Sequence, residues 1–144
     1  MENGNGGLRA MKRCLIQSGL TFKDIDHINC HATSTSVGDF AEGKAIIDLL
    51  ENNAEAIKKV SITANKSAIG HCFAAAGAIE TIFTVMSIGN RLIPGIKNLE
   101  NPIDDLKILN FVRENNRQQD IKIVIKNSFG FGGVNVALLL GKYE

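Results

Sequence analysis

The stretch KSAIGHCFAAAG, residues 66–77, places a lysine and a histidine five positions apart at the start of an apolar segment. The preceding residues, VSITA (60–64), are mostly β-branched and predict a strand, whereas the apolar residues 72–89 predict a helix that is buried on all sides. Burial of an ionisable side chain is costly unless the group has a partner. Lys66 and His71 therefore indicate either a buried pair or a site of chemistry.

Strands and helices alternate on the N-terminal side of this stretch. The spacing of apolar residues predicts an amphipathic helix over 6–18 that ends at Gly19, and DHINCHA (26–32) predicts a strand that ends near its second histidine. Asp39 and Glu42 have the spacing of a capping box and predict the start of a second helix.

The C-terminal residues predict a hairpin. IKIVIK (121–126) alternates like a strand, NSFGFGG (127–133) is a glycine-rich turn, and VNVALLL (134–140) returns from it as a final strand. The whole pattern predicts one α/β domain over residues 1–144, with a layered sheet and an antiparallel closing hairpin.

The composition argues against several classes of protein. A net charge of +1 leaves no basic stripe for nucleic acid. The longest apolar run, residues 72–88, is short for a membrane span and contains Glu80, so no membrane is expected. The three cysteines form no CxxC pair, and Cys30 and His31, as neighbours on a strand, point to opposite faces, so no metal site is predicted.

Three loops of small and polar residues follow the predicted strands: CHATSTSVGD (30–39), NKSAIGH (65–71) and NSFGFGG (127–133). Ligands of open α/β sheets bind outside the carboxyl ends of the strands, so these loops are expected to converge on one pocket. Taken singly, either histidine could be satisfied by a backbone group, and the lysine could be solvated. Two histidines and a lysine on loops at equivalent strand ends favour a site of chemistry.

The motifs of these loops resemble a known family. HATST (31–35) followed by GD and Glu42, then KSAIGHCFAAAG, then NSFGFGGVN (127–135) are similar, in order and approximate spacing, to the C-terminal half of the β-ketoacyl-acyl carrier protein synthases. The resemblance implies an α/β, thiolase-like fold, with this chain as the C-terminal half of its layered αβαβα architecture. It also implies an acyltransferase of fatty acid biosynthesis that condenses acyl groups with malonyl-acyl carrier protein by decarboxylative Claisen condensation.

The resemblance implies catalytic roles for four side chains. His31 and His71 would be the histidine pair whose neutral imidazoles donate hydrogen bonds to the malonyl thioester carbonyl and stabilise the enolate that forms as carbon dioxide leaves. Preorganised donors of this kind are worth about 3 to 4 kcal/mol each. Lys66 and Glu42 would form a buried charged pair at the floor of the site that fixes the orientation of His71.

Other matched residues would bind the substrate. Thr33 and Thr35 would hydrogen-bond the phosphopantetheine arm of the carrier protein, and no other cofactor is implied. In the glycine-rich loop, Phe131 would be the gating residue, and its backbone N–H would bind the oxyanion. The flanking Gly130 and Gly132 would let the loop swing, and Phe129 and Asn127 would support it.

The resemblance also implies partners and a location. The partners are acyl carrier protein and, in the full-length family, a second copy of the synthase in a homodimer. HATST, in which many members have Gly in second place, looks most like the mitochondrial enzyme and its bacterial relatives. The implied location is therefore the mitochondrion or, alternatively, the bacterial cytoplasm.

The chain departs from the family in its nucleophile. The family's reactive cysteine belongs to an N-terminal half that this chain does not contain, and Cys14, Cys30 and Cys72 do not replace it. Covalent condensation is therefore not expected from this chain alone. The alternative reading is a truncated, non-catalytic module that binds carrier protein or pairs with a synthase; a thiolase-like binding domain for another substrate is less favoured. In this half alone, the apolar face of the helix 72–89 would be exposed, so self-association is expected.

Overall fold

The computed structural model describes residues 4–143, so the first three residues and the last residue of the predicted domain lie outside the described part. Its helices are α1 Asn5–Ser18, α2 Ser36–Leu49, α3 Ala54–Lys59, α4 Lys66–Ile69 and α5 Ala76–Asn90. Its strands are β1 His27–Asn29, β2 Ser61–Thr63, β3 Leu92–Ile93, β4 Asn110–Phe111, β5 Arg117–Gln118, β6 Ile123–Phe129 and β7 Asn135–Gly141. Short 3₁₀ helices lie at Phe22–Asp24, Phe73–Ala75, Asp104–Leu106 and Phe131–Gly133.

The central sheet has the strand order β4-β2-β1-β6-β7. β4, β2, β1 and β6 are parallel, and Ile28 of β1 lies between Ile62 of β2 and Ile125 of β6. β7 runs antiparallel to β6, with Leu139 opposite Ile125. β3 and β5 pair separately as a small antiparallel sheet. The predicted α/β domain with an antiparallel closing hairpin is therefore confirmed.

The two faces of the sheet are packed differently. On the first face, helices α1, α2 and α3 bury a large apolar cluster, whose fully buried members include Met11, Ile28, Ile46, Leu50 and Ile125. The second face is covered by α5, and its buried apolar cluster is small: Ile93, Val112, Ile121 and Val124. Most of the apolar burial that stabilises the domain therefore comes from the first face.

The N-terminal elements match the prediction, with one exception. α1 begins one residue before the predicted helix, and Gly19 after it has a φ of 69°, the left-handed conformation of a glycine C-cap. β1 ends at Asn29, two residues before the predicted end of the strand. α2 begins three residues before Asp39, so the predicted capping box of Asp39 and Glu42 is wrong. The Glu42 carboxylate binds the loop before the helix and not the helix end.

Two short helices have no counterpart in the prediction. α3 is capped by Asn53, whose side-chain oxygen accepts hydrogen bonds from the backbone N–H groups of Glu55 and Ala56. This cap is visible in the sequence and could have predicted the helix. α4 is a single turn between β2 and Gly70, and its first residue, Lys66, is buried.

The polar side of α5 faces the domain, and the prediction that this helix is buried on all sides is wrong. Glu80 and Thr84 are fully buried, whereas Ile82, Val85 and Met86 are 59%, 53% and 51% exposed. The buried polar groups are hydrogen-bonded or ion-paired within the domain, which makes their burial tolerable.

The second face of the sheet carries further exposed apolar side chains. Val136 and Leu138 of β7 are 44% and 43% exposed, while Ala137 and Leu139 between and beyond them pack against the core of the first face. The predicted exposure of an apolar face of this chain is therefore confirmed. By length and composition alone, Phe73–Asn90 could cross a membrane, but α5 contacts β6 and buries a carboxylate against it.

Candidate active site

The three predicted loops meet at the carboxyl ends of β1, β2 and β6. His31 follows β1, and His71 follows α4 and Gly70, whose φ of 76° turns the chain. The imidazole rings of His31 and His71 lie 5.7 Å apart between centroids and are nearly perpendicular, at 83°. The predicted convergence of the loops on one pocket is confirmed.

The loops enclose a cleft of about 840 Å³. Eight of the ten predicted site residues line it: His31, Thr33, Thr35, Glu42, His71, Phe129, Gly130 and Phe131. Lys66 lies buried beneath the cleft, and Gly132 lines a neighbouring cleft between the glycine-rich loop and the start of α1. The structure thus brings the predicted residues into one region without assigning their roles.

The loop after β1 is held in an unusual backbone conformation. Ala32 and Ser34 have φ values of 27° and 61°, which non-glycine residues rarely adopt. The buried carboxylate of Glu42 accepts hydrogen bonds from the N–H groups of His31, at 2.9 Å, and Ala32, at 2.8 Å. It also accepts one from the side-chain amide of Asn127, at 2.9 Å. These bonds offset the strain and fix the position of His31.

Burial and hydrogen bonding act on Glu42 in opposite directions. Desolvation raises the pKa of its carboxyl group, and the N–H donors of Ala32, Asn127 and His31 lower it, with desolvation the larger effect. The carboxylate is held by three donors and has no need of a lysine partner. Glu42 therefore acts on the shape of the loop that carries His31.

The ammonium group of Lys66 pairs with Glu80, so the predicted Lys66–Glu42 pair is wrong. Its Nζ lies 2.5 Å from Glu80 Oε1 and 2.5 Å from the carbonyl oxygen of His31. Both charged side chains are almost fully buried. Glu80 reaches the lysine from α5, on the second face, whereas Glu42 belongs to α2 on the first. The predicted pair was expected to orient the ring of His71, whereas Lys66 fixes the backbone of His31.

Two buried charged residues at the site, Glu80 and Lys126, were not predicted as site residues. Glu80 binds Lys66 through one carboxylate oxygen, and its other oxygen lies 2.7 Å from Nζ of Lys126, in the middle of β6. The presence of an acid within an apolar helix could have predicted a site role for Glu80. The two-residue period of a strand could have predicted the burial of Lys126, because it puts this residue on the same face as the buried Val124.

The two histidines differ in environment. Burial, together with the nearby ammonium groups of Lys66 and Lys126, lowers the pKa of His31 to about 4, so its ring is neutral at pH 7. His71 Nδ1 accepts a hydrogen bond from the N–H of Phe73 at 3.1 Å. A neutral His71 ring therefore carries its proton on Nε2. Both rings border the cleft and can present an N–H to a ligand.

The glycine-rich loop covers one side of the cleft. Phe129, at the end of β6, packs on His31 with 5.6 Å between ring centroids. Phe131 is fully exposed, and Gly132 has a φ of 77° that favours glycine. Across the cleft, the hydroxyl groups of Thr33 and Thr35 are 3.1 Å apart and hydrogen-bonded to each other.

Residues 1–100 match the model of the family described as the C-terminal domain of β-ketoacyl synthases. The chain belongs to this family. The 3-oxoacyl-(acyl-carrier-protein) synthase 2 of Rhizobium meliloti (strain 1021) is 41% identical over 142 residues, which are 99% of this chain and 32% of the relative. A mitochondrial 3-oxoacyl-(acyl-carrier-protein) synthase, by its name, of Schizosaccharomyces pombe is 39% identical over 145 residues, 98% of this chain and 33% of the relative.

A solved structure shares the fold of this β-ketoacyl synthase domain. It is described as a type II PKS acyl-carrier protein in complex with its ketosynthase bound to the hexaketide, and it matches with a TM-score of 0.92 at 25% identity. The match covers 100% of this chain and 34% of the matched chain of that complex. The chain thus has the fold of the C-terminal part of a thiolase-like ketosynthase, as predicted, and spans about a third of the length of the relatives it matches.

The cysteines of this β-ketoacyl synthase domain do not border the histidine pair's cleft, although Cys30 and Cys72 neighbour His31 and His71 in sequence. None of the cysteines in residues 4–143 lines it. Cys30 is buried, and desolvation raises the pKa of its thiol well above the usual value, which suppresses the thiolate. Cys14 contacts the carbonyl oxygen of Ala137 on the first face, and Cys72 has the carbonyl oxygen of Ile69 within 3.7 Å.

Proposed function

We propose that residues 1–144 form the C-terminal domain of a β-ketoacyl-acyl carrier protein synthase. The enzyme would extend acyl chains by decarboxylative condensation with malonyl-acyl carrier protein in fatty acid biosynthesis. The observation that carries this proposal is the pair of imidazole rings 5.7 Å apart at the mouth of a cleft, above buried lysines. The relatives named above support the same substrate class.

The histidine pair would act on the malonyl thioester. When the bond to the carboxylate breaks, its electron pair moves into the thioester and forms an enolate, and carbon dioxide leaves. His31 and His71, as neutral rings, would donate hydrogen bonds to the oxygen that becomes negative. Two fixed donors in a partly desolvated cleft stabilise such charge by about 3 to 4 kcal/mol each.

The enolate must then attack an acyl thioester. In this proposal, the acyl group is held on a cysteine that lies outside the part matched here. The match covers 32% of the Rhizobium meliloti relative, and the cysteine would belong to the remaining two thirds of the enzyme. The enolate carbon forms the new bond to the acyl carbonyl carbon, and the cysteine sulfur leaves as thiolate. This chain would supply the donors and the other part would supply the nucleophile.

The edge of the cleft would receive the carrier protein. Thr33 and Thr35 lie side by side on the loop after β1 and would bind the phosphopantetheine arm, which carries the substrates, so that no separate cofactor is needed. Phe131 would gate the entrance, with Gly130 and Gly132 as hinges and Phe129 as a support. The acyl-carrier-protein complex of the related ketosynthase supports this partner. We also propose that the complete enzyme is a homodimer.

The location follows the relatives. The Schizosaccharomyces pombe relative is mitochondrial by name and the Rhizobium meliloti relative is bacterial. We propose the mitochondrion, with the bacterial cytoplasm as the alternative.

Decarboxylation of malonyl-acyl carrier protein tests the proposal. Residues 1–144 are mixed with the N-terminal two thirds of the Rhizobium meliloti synthase, and carbon dioxide release is measured. We expect release only from the mixture, reduced about 100-fold or more by His71→Ala because one oxyanion donor is lost. Lys122→Ala, at an exposed position far from the cleft, is the control. Equal release with His71→Ala would contradict the proposal.

A second function is supported by the exposed apolar side chains on α5 and β7. They suit a truncated, non-catalytic module that pairs with a synthase or binds carrier protein. In the same mixture, carrier-protein binding without any carbon dioxide release would favour this alternative.

A further inference from the structure

Lys126 is the most deeply buried lysine of the described chain, and the proposed reaction gives it no role. It lies on β6 beside Asn29 of β1, and only 1% of the residue is exposed. Its Nζ is 2.7 Å from Glu80 Oε2 and also contacts the carbonyl oxygen of Asn127. A lysine so placed is costly to bury unless its charge is used.

The charges under the cleft do not cancel locally. Glu80 is a single carboxylate held between two ammonium groups, Lys66 on Oε1 and Lys126 on Oε2. The other buried carboxylate, Glu42, lies on the opposite face of the sheet and is satisfied by N–H donors. The cluster of Lys66, Glu80 and Lys126 therefore carries a net positive charge.

This net charge lies beside two residues that line the cleft, His31 and Ser128. Lys66 donates a hydrogen bond to the carbonyl oxygen of His31. Nζ of Lys126 lies 3.4 Å from the hydroxyl group of Ser128, and Ser128 lines the cleft. Like charges separated by a few ångströms in a protein interior repel strongly. A proton on the His31 ring would add a third positive charge to this region.

We propose that Lys126 is a positioning residue of the site, which locks the Glu80 carboxylate from the side opposite Lys66 and disfavours a proton on the His31 ring. The proposal concerns a residue that does not contact substrate. In the proposed reaction, His31 acts as a neutral donor, and Lys126 would extend toward acid the pH range over which its ring stays neutral. That consequence rests on the proposed function, whereas the electrostatic role does not.

The titration of His31 is sensitive to every charged group around it. Desolvation lowers the pKa of His31 most, and Lys66 and Lys126 lower it next. Glu80 raises this pKa, and His71 lowers it. Two carboxyl groups of α2 also face this region: Glu42 binds the backbone N–H of His31, and Asp39 lines the same cleft. The groups to be controlled are Lys66, Lys126, Glu80, His71, Glu42 and Asp39.

The test is an NMR titration of the imidazole signals of residues 1–144. The variants are Lys126→Met, which removes the charge at similar length, and Lys126→Arg, which retains it. The control is Lys122→Met, which removes an exposed lysine four positions earlier in the chain. His31→Gln identifies the signal.

In the unmodified chain, the His31 signal is expected to titrate with a midpoint at about 4. Lys126→Met is expected to raise that midpoint by about one pH unit, a tenfold change in proton affinity. Lys126→Arg and Lys122→Met are expected to leave it unchanged.

Two results would overturn the proposal. One is a folded Lys126→Met variant whose His31 midpoint equals that of the unmodified chain, even if its stability has fallen, since a purely structural lysine gives that pattern. The other, which needs no lysine variant, is an unmodified chain in which His31 titrates at 6 or above, near the ordinary histidine range. Neither measurement uses decarboxylation activity, so this proposal and the proposed function can fail separately.

Discussion

The two faces of the central sheet differ in the kind of side chain that they bury and in how much apolar surface they leave exposed. The first face buries a continuous apolar core under α1, α2 and α3. The second face buries charged and polar groups, Lys66, Glu80, Thr84 and Lys126, and leaves apolar side chains of α5 and β7 exposed. The first face stabilises the fold by apolar burial, whereas the second buries a charged cluster under the cleft, at a cost in stability, and leaves an apolar surface exposed.

The largest expected effect is the loss of the shared carboxylate on the second face. Glu80→Ala leaves Lys66 and Lys126 buried without their partner and should destabilise the chain by about 3 to 5 kcal/mol. Chemical denaturation monitored by circular dichroism measures the change, with Glu100→Ala at an exposed position as the control. A loss below about 1 kcal/mol would show that the cluster is hydrated, contrary to the structure.

The next effect sharpens the contrast between the apolar residues of the two faces. Ile28→Ala, in the core of the first face, should cost about 2 to 5 kcal/mol of unfolding free energy, because it leaves a cavity among buried side chains. Ile82→Ala, at a 59% exposed position of the second face, should cost less than about 0.5 kcal/mol. Comparable losses at the two positions would mean that the second face is covered in solution.

Acid should weaken the fold through its buried histidines. Burial lowers the pKa of His27 to about 3 and that of His31 to about 4, so both bind protons more readily in the unfolded state. Stability is therefore expected to be full above about pH 6.5 and to fall as the pH decreases toward these values. His27→Leu should flatten this part of the curve of unfolding free energy against pH. An unchanged slope in that variant would contradict the assignment of His27.

The smallest expected effect concerns association. Val85→Lys, at a position 53% exposed, should leave the unfolding free energy within about 0.5 kcal/mol while reducing self-association of the chain. Sedimentation velocity of both proteins measures the difference, with Lys58→Ala as a control away from this face. A monodisperse monomer of the unmodified chain would remove the expectation of self-association altogether.

Local signals made much of the fold predictable. The end of α1 depends on Gly19, and the hairpin depends on the alternation of IKIVIK and VNVALLL around a glycine turn, so each can be inferred from neighbouring residues. The meeting of His31 and His71 also followed, because parallel strands bring their carboxyl ends to one edge.

Long-range packing limited the rest. The partner of Lys66 is fourteen residues away on α5, and only the rotation of that helix turns Glu80 and not Ile82 toward the lysine. Hydrophobicity alone suggested a helix buried on every side. It could not show that the polar side chains would face inward, because that orientation depends on Lys66 and Lys126 arriving from two other elements.

A hybrid enzyme tests the central claim most directly. The C-terminal third of the Rhizobium meliloti synthase is replaced by residues 1–144, and formation of 3-oxoacyl-acyl carrier protein from acyl and malonyl carrier proteins is measured. We expect an active hybrid that loses activity about 100-fold or more with His71→Ala and keeps it with Lys122→Ala. A folded hybrid that binds carrier protein but forms no product, or one whose activity survives His71→Ala, would contradict the account.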